Sequence, residues 1–423
     1  MTLPGPRSVP IAGARTSVSW VFAASGYLMA NWLARLPAVR DALDVTAGRL
    51  GTILLALSAG SVLALPLSGP VVHRLRPART VFVCAGLSTA SMVAVGVAGS
   101  GRLGGIALLA PALFGYGVGV GMWDVAMNVE GAEVERGIER AIMPWFHAAF
   151  SLGTVAGALT GAAAAAAGVP VALHLAAVSL AVFAVIASSV RHFLPVSEHA
   201  QHTPDRPDGA RSAGSGALAA WREPRTLMVG LLALGMAMAE GSANDWLALG
   251  LVDGYGMTHA VGAIGLGVFL TAMTGCRLAG PMLLARFGRV RVLRGGAVLV
   301  LAGVLLYVGA ARLVDPRAGS IGANALPLTL AAIAAIAWGV GAALGFPVAM
   351  SAAADDPARS AARVSVVSSI GYVAFLAGPP LLGMLADRVG IVRAMLGVSA
   401  AVLLSLLCAG AARATEAGRP APG

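Results

Sequence analysis

One short phrase occurs twice in this chain, each time inside a long apolar run. Ala30-Asn31-Trp32-Leu33-Ala34 returns as Ala243-Asn244-Asp245-Trp246-Leu247-Ala248, with one Asp inserted, about half of the 423-residue length further on. Val125-Ala126-Met127-Asn128 returns at a similar distance as Val348-Ala349-Met350-Ser351. Recurrence at this spacing predicts two homologous halves. Polar residues at matching depths in apolar runs predict that both halves lie in a membrane. A duplicated membrane bundle of this kind is the pattern of a secondary transporter, with its site between the halves.

Composition supports the membrane reading. The chain is 58% hydrophobic and 11% charged, and its mean hydropathy is +0.83. A bilayer helix takes about 20 apolar residues, so the length accommodates about a dozen spans. The apolar runs are 17–37, 47–68, 79–99, 103–129, 144–167 and 170–190, then 225–250, 260–284, 292–312, 324–352, 363–385 and 390–412. The expectation is an all-α membrane protein of 12 transmembrane helices in two pseudo-symmetric six-helix bundles, 1–190 and 225–412. A polar linker, 191–224, joins them, and 413–423 is a short tail. Arg7 and Arg15 precede the first run as they would a signal peptide, but the run has span length and reads as an uncleaved helix.

The net charge of +10 is carried by short loops between apolar runs, which argues against nucleic acid as a partner. Arg74, Arg76, Arg79, Arg286, Arg289, Arg291 and Arg294 fall on one side if the helices alternate, against Arg35, Arg102 and Arg388 on the other. The positive-inside rule then puts both termini in the cytoplasm of a multi-pass plasma-membrane protein. The basic residues are all Arg. Without Lys there is no P-loop Gly-Lys-Ser/Thr and no Schiff base, so this one chain is no ATP-driven pump and no retinal or pyridoxal protein. Cys84, Cys276 and Cys408 lie in apolar segments and read as small hydrophobes, with no metal or other cofactor implied. His-Glu-x-x-His, Gly-x-Ser-x-Gly and Gly-x-Gly-Asp are all absent, which leaves a membrane enzyme without its usual residues. A sensor would need a further signalling domain, for which the tails are too short.

Glycines at spacing four, Gly153, Gly157 and Gly161 and again Gly117 and Gly121, predict close helix contacts. The run from Gly115 to Gly121 imitates a nucleotide loop but has no strand before it. Ionisable residues at membrane depth are the functional candidates. Glu240 lies about four turns into its helix with Asn244 on the same face, and reads as a substrate- or proton-binding acid or as half of a structural ion pair; the matching pair in the first half is Tyr27 and Asn31. Asp124 shares a face with Gly117, Gly121 and Asn128, and two readings stand for it: an interfacial acid, or a protonatable or gate-forming one. His147 opens a polar face with Ser151 and Thr154, and Pro144 fits a helix start there. Arg277 reads as an ion-pairing or carbonyl-capping gate residue, with Asp355 and Asp356 available as partners, or as an anion-binding one. Asp245 and Arg35 read as interfacial, His174 as solvated or capping. Ser365, Ser368, Ser369 and Tyr372 form a hydroxyl face, and Gly378-Pro379-Pro380 predicts a kink.

Twelve spans, two halves, the central linker and the Arg-rich loop Gly69-Pro70-Val71-Val72-His73-Arg74-Leu75-Arg76-Pro77-Ala78-Arg79 together resemble the major facilitator superfamily. In that family's loop pattern an Asp stands where this chain has His73, and a Gly where it has Arg76. The second loop keeps Arg286-Phe287-Gly288-Arg289 but has Ala285 at the acidic position. The resemblance implies a cytoplasmic gate at His73, Arg74, Arg277 and Arg286, with its usual acid missing. Gly119-Val120-Gly121-Met122-Trp123-Asp124-Val125-Ala126-Met127-Asn128 is similar to a motif of the fucose-permease-like branch. That likeness implies proton coupling at Asp124, with Glu240 as the other candidate from its depth. It also implies sugar contact near His147. The substrate-binding candidates are Tyr27, Asn31, Asn128, His147 and Asn244. The implied protein is a monomeric, proton-coupled carrier of a sugar or other polar metabolite, or else a drug or metabolite efflux antiporter. Its partners are then a small-molecule substrate, protons and the lipid bilayer.

Overall fold

The computed structural model of the chain describes residues 11–101, 104–138, 142–194, 219–315, 322–356 and 359–413. Most of the expected linker, and the expected tail after residue 413, lie outside the described residues. The first half runs as α1 (Ile11–Leu43), α2 (Ala47–Leu75), α3 (Pro77–Ala98), α4 (Gly105–Ile138), α5 (Met143–Ala166) and α6 (Val171–Ser189). The second runs as α7 (Pro224–Asp253), α8 (His259–Phe287), α9 (Arg289–Ala310), α10 (Ala325–Ala342), α11 (Gly345–Ala353), α12 (Ser360–Val389), α13 (Ile391–Ala394) and α14 (Leu396–Cys408). Among the described residues eleven helical spans are long and apolar enough to cross a membrane, α10 with α11 and α13 with α14 each counting as one. The helix outside that set, α1, has 33 residues; Ser17, Ser19, Ser25, Asn31 and Arg35 dilute its apolar run.

The helices overrun the apolar stretches at several ends. α1 starts at Ile11 and stops at Leu43, and α4 continues to Ile138 through Glu130, Glu133, Glu135 and Arg136. Backbone hydrogen bonding continues past the hydrocarbon layer, whereas hydropathy reports only the layer itself. Helix starts carry local signals. Pro77 and Pro224 occupy first-turn positions, where a missing N–H is no loss. Thr258 caps α8, its side chain accepting from Val261 N. The start of α5 is capped from a distance: Glu135 accepts from the backbone N–H of Ile142 and Met143, both at 2.7 Å.

The chain separates into two compact units, α1 to α6 and α7 to α14, except that residues 45–55 at the start of α2 group with the second. There Asp387 of α12 accepts from Gly48 N at 3.1 Å and Thr46 Oγ1 at 2.9 Å, supplying acceptors to the first turn of α2. Inside the first unit α1 packs on α5 and α6, and α3 on α4 and α6. Inside the second, α7 packs on α12 and α14, and α9 on α10 and α14. Each pairing of the first unit has its counterpart, by chain order, in the second.

Small residues set the depth of these contacts. A Cβ at Gly153 would fall on the carbonyl oxygen of Ala23, and one at Gly157 on that of Tyr27. The row on α5 thus brings its backbone against that of α1. The run from Gly115 to Gly121 is packed on two sides. Gly117 and Gly121 sit against Leu57 and Ser61 of α2, Gly115 and Gly119 against Ser91 and Ser88 of α3. Large aliphatics point outward instead, among them Leu63, Leu152, Leu173 and Leu407, as suits a surface in contact with acyl chains.

Candidate functional site

In the first unit the repeated phrase places Asn31 at 0% exposure on the α1 face that meets α5. Its Nδ2 donates to Tyr27 O one turn earlier at 2.8 Å, while its Oδ1 is buried without a partner. Tyr27, half-buried, donates from its hydroxyl to Thr160 Oγ1 of α5 at 3.2 Å. The two candidates therefore form one group, fixed by glycines opposite: a Cβ at Gly157 would lie 3.1 Å from Asn31 Nδ2. A second group sits on α4. Asn128 Nδ2 donates to the Asp124 carbonyl at 2.8 Å and leans on its carboxylate at 3.4 Å. Asp124 is exposed on this unit, although Gly121 and Gly117, one and two turns earlier, are covered by α2. His147 is exposed and stands edge-on to the buried Phe22 ring, centroids 5.3 Å apart.

In the second unit Glu240 and Arg277 form a two-pronged ion pair. Arg277 Nη2 reaches Glu240 Oε1 at 2.8 Å and Oε2 at 2.9 Å. Arg277 Nε donates to Ala343 O at 3.1 Å. Ala343 lies at the interruption between α10, which ends at Ala342, and α11, which begins at Gly345. A broken helix in a membrane leaves carbonyls without their i+4 partner, and Arg277 satisfies one of them. The arginine thus ties α7 and α8 to the break. Asn244, a turn beyond Glu240, keeps a buried Oδ1 with no partner, as Asn31 does in its own unit. A cavity of about 160 Å³ opens beside the pair, walled by Arg277, Pro281, Arg289, Pro347 and Ser351.

Several expectations need correction. Asp355 and Asp356 do not serve Arg277. Asp355 accepts from Arg225 Nη2 at 3.0 Å and Arg289 Nη1 at 2.6 Å, and Asp356 lies 3.4 Å from Arg363. Arg277 is too far up α8 for an acid in the loop, and a carboxylate from α7 meets it instead. Arg35 and His174 are not solvated at an interface; they are 4% and 5% exposed. Position near a helix end misled: Arg35 reaches the carbonyl of Val169 in the α5–α6 turn, and His174 is buried in the first turn of α6.

The loop residues differ between the units. His73 and Arg74 are exposed and form no ion pair among the described residues, whereas Arg289 is paired through Asp355 and bonds Ser351 Oγ at 2.9 Å. Arg286 lies over the Phe287 ring, 5.4 Å from its centroid. The acid that meets this loop is Asp355, after α11. Glu223 forms a second cluster, accepting from Arg363 Nε at 2.6 Å and Arg359 Nη1 at 3.2 Å. The Arg363 hydrogen bond holds its carboxyl below the usual glutamate range, with Thr226 and Arg359 adding to the effect. Sequence reasoning passed over Glu223, Glu130 and Glu135, and offered Asp355 to Arg277 where it serves Arg225 and Arg289. Their one visible signal was an acid close to a helix end. Among the described residues no cluster of His, Cys, Asp and Glu is arranged to hold a metal ion.

The family model described as Major Facilitator Superfamily matches residues 18–379. The chain is 32% identical over 393 residues to the uncharacterized transporter y4wD of Sinorhizobium fredii, covering 90% of this chain and 96% of that one. It is 27% identical over 408 residues to the membrane protein MosC of Rhizobium meliloti, covering 93% and 91%. Among solved structures it resembles a mutant of the nucleoside transporter NupG, with a TM-score of 0.75 at 14% identity over 94% of this chain and 99% of that one. A D-xylose-proton symporter gives 0.71 at 13% identity, covering 93% and 96%. FucP in its outward conformation gives 0.63 at 17%, covering 95% and 98%. At such identities the likeness speaks for the fold.

Proposed function

The chain belongs to the Major Facilitator Superfamily, and on that premise we propose that it carries a small polar solute across the membrane by alternating access driven by protons. It is a multi-pass integral membrane protein and a secondary transporter, not an enzyme. The proposed arrangement is two six-helix bundles about a central site, with both termini cytoplasmic and the chain acting as a monomer. Tyr27, Asn31, Asp124, Asn128 and His147 supply one side of that site, Glu240 and Asn244 the other. His73, Arg74, Arg277 and Arg286 take part in the cytoplasmic gate.

The observation that carries this reading is the Glu240–Arg277 pair and its bond to Ala343. A carboxylate removed from water is tolerated when a cation holds it. Protonating Glu240 would cancel the charge that positions Arg277 and so weaken its hold on the break between α10 and α11. Proton uptake and rearrangement of that segment become one event, which a coupled carrier requires. Asp124 is the second coupling candidate, its carboxylate held only loosely by Asn128. A polar solute agrees with unfilled amide oxygens on Asn31 and Asn244. Nucleoside and xylose transport by proteins of the same fold supports that class, and a fucose-permease-like branch agrees with it.

Reconstituted vesicles with an imposed pH gradient test the coupling. The parent should accumulate substrate, found by screening nucleosides and sugars. Glu240→Gln should lose accumulation at least tenfold while retaining substrate counterflow, which needs no net proton release. If Glu240→Gln and Asp124→Asn both accumulate like the parent, neither acid is the coupling group; a parent indifferent to the gradient refutes proton drive.

A further inference from the structure

The end of α1 carries a positive charge that no ion pair among the described residues neutralises. Arg35 is 4% exposed. Its Nη2 donates to Val169 O at 2.6 Å, in the turn between α5 and α6. Its Nε and Nη1 are buried without a partner, and among the described residues no carboxylate forms an ion pair with it. His174, in the first turn of α6, is 5% exposed, and neither of its ring nitrogens meets a partner. Val169 is two residues before α6 begins, so Arg35 lies beside the start of that 19-residue helix. Pro170 at the N-cap offers its first N–H groups no side-chain acceptor.

Three independent features converge here: two unused guanidinium nitrogens, an unused imidazole and a helix start lacking a side-chain cap. Each buried donor left unpaired is unfavourable, and an unpaired buried charge more so. All but one of the free groups are donors, because a neutral imidazole contributes one acceptor at most. A water molecule would find too few acceptors for its own protons. An anion accepts from every direction, and a helix start favours negative charge.

We propose that a small inorganic anion of chloride size binds between Arg35, His174 and the start of α6, as a resident ligand of the first unit. The near-complete burial of both side chains suits a monatomic ion held within the fold. The site is separate from the proposed proton-coupling groups and does not depend on their assignment.

Thermal unfolding of the purified full chain in detergent tests this, with chloride compared against gluconate at equal ionic strength and pH. The midpoint should rise by several degrees in chloride and saturate with concentration, as for a ligand of the folded state. Bromide should substitute, and crystals grown in bromide should show an anomalous peak within hydrogen-bond reach of Arg35 Nε or Nη1. Arg35→Gln should lose the chloride response, and His174→Leu should need at least threefold more chloride for half of it. Equal midpoints in the two salts, or no bromide peak, would mean that water fills the site and the proposal is wrong. A full response in Arg35→Gln would place the anion elsewhere and overturn it as well. Should Arg35→Gln fail to fold, His174→Leu and the bromide map decide.

Discussion

Residue by residue, the most informative comparison is between Arg76 and Gly288. Each is the N-cap between consecutive helices of its own half, and the backbone is nearly the same: φ 68°, ψ 155° at Arg76 and φ 73°, ψ 159° at Gly288. That region is essentially reserved for glycine and holds another residue at a cost of about 1–3 kcal/mol. Arg76→Gly should therefore raise stability by about 1 kcal/mol, after the greater freedom of glycine in the unfolded chain is deducted. Gly288→Ala should lower it by a similar amount, although open space surrounds the site; thermal unfolding in detergent reads both. Glu223 gives a pH-dependent counterpart. Arg363 holds its folded pKa below the ordinary glutamate value, which is about 4.3 in an unfolded chain. Its contribution is complete above that value and fades as the pH falls through the lower folded value, because the unfolded chain binds the proton first. Glu223→Gln should thus flatten the stability curve below about pH 4.3 and lower the plateau above it. Individual residues were only partly legible in the sequence. Glu240 was visible as an acid at depth, but its partner was not, since Arg277 stands 37 positions away on another helix. Arg35 looked interfacial and His174 solvated or capping, because position along a helix does not reveal what packs around its end.

At the scale of elements, spacing told most. Gly153, Gly157 and Gly161 predicted a close contact from sequence alone, and α1 fills it. Gly157→Ala should lower stability by about 1–3 kcal/mol through overpacking against Tyr27 and Asn31. Gly275→Ala, with nothing within 4 Å of the added carbon, should be neutral or slightly favourable in the same unfolding assay. The interruption after α10 was legible only in part. Pro347 has no N–H to offer the Ala343 carbonyl four residues earlier, and Gly345 lies beside the break, whereas the contact from Arg277 to that carbonyl is encoded by no local pattern. Pro379 and Pro380, read as a kink, lie inside α12, which continues on both sides of them. A proline removes one N–H and crowds one carbonyl, and a helix continues past it where the neighbouring bonds hold.

For the whole molecule, the repeated phrases foretold that the halves would share an internal plan, and the helix pairings within each unit follow one scheme. What duplication could not foretell is how far the copies have diverged in charge. Arg289 shares Asp355 with Arg225, while Arg74 has no ionic partner among the described residues. Arg289→Gln should therefore lower stability by about 1–3 kcal/mol, because it strips a charged hydrogen bond from a buried carboxylate. Arg74→Gln should change it by no more than about 0.5 kcal/mol; urea or thermal unfolding of the two variants measures the contrast. The turn shared by Arg76 and Gly288 also bears on ancestry. A bend can outlive the residue that best suits it, provided the surrounding helices continue to impose it. Letter-by-letter alignment registers a mismatch there, whereas the dihedral angles record common descent. Ancient duplications whose sequences have drifted beyond comparison should still be traceable by matching the rare backbone conformations of their turns.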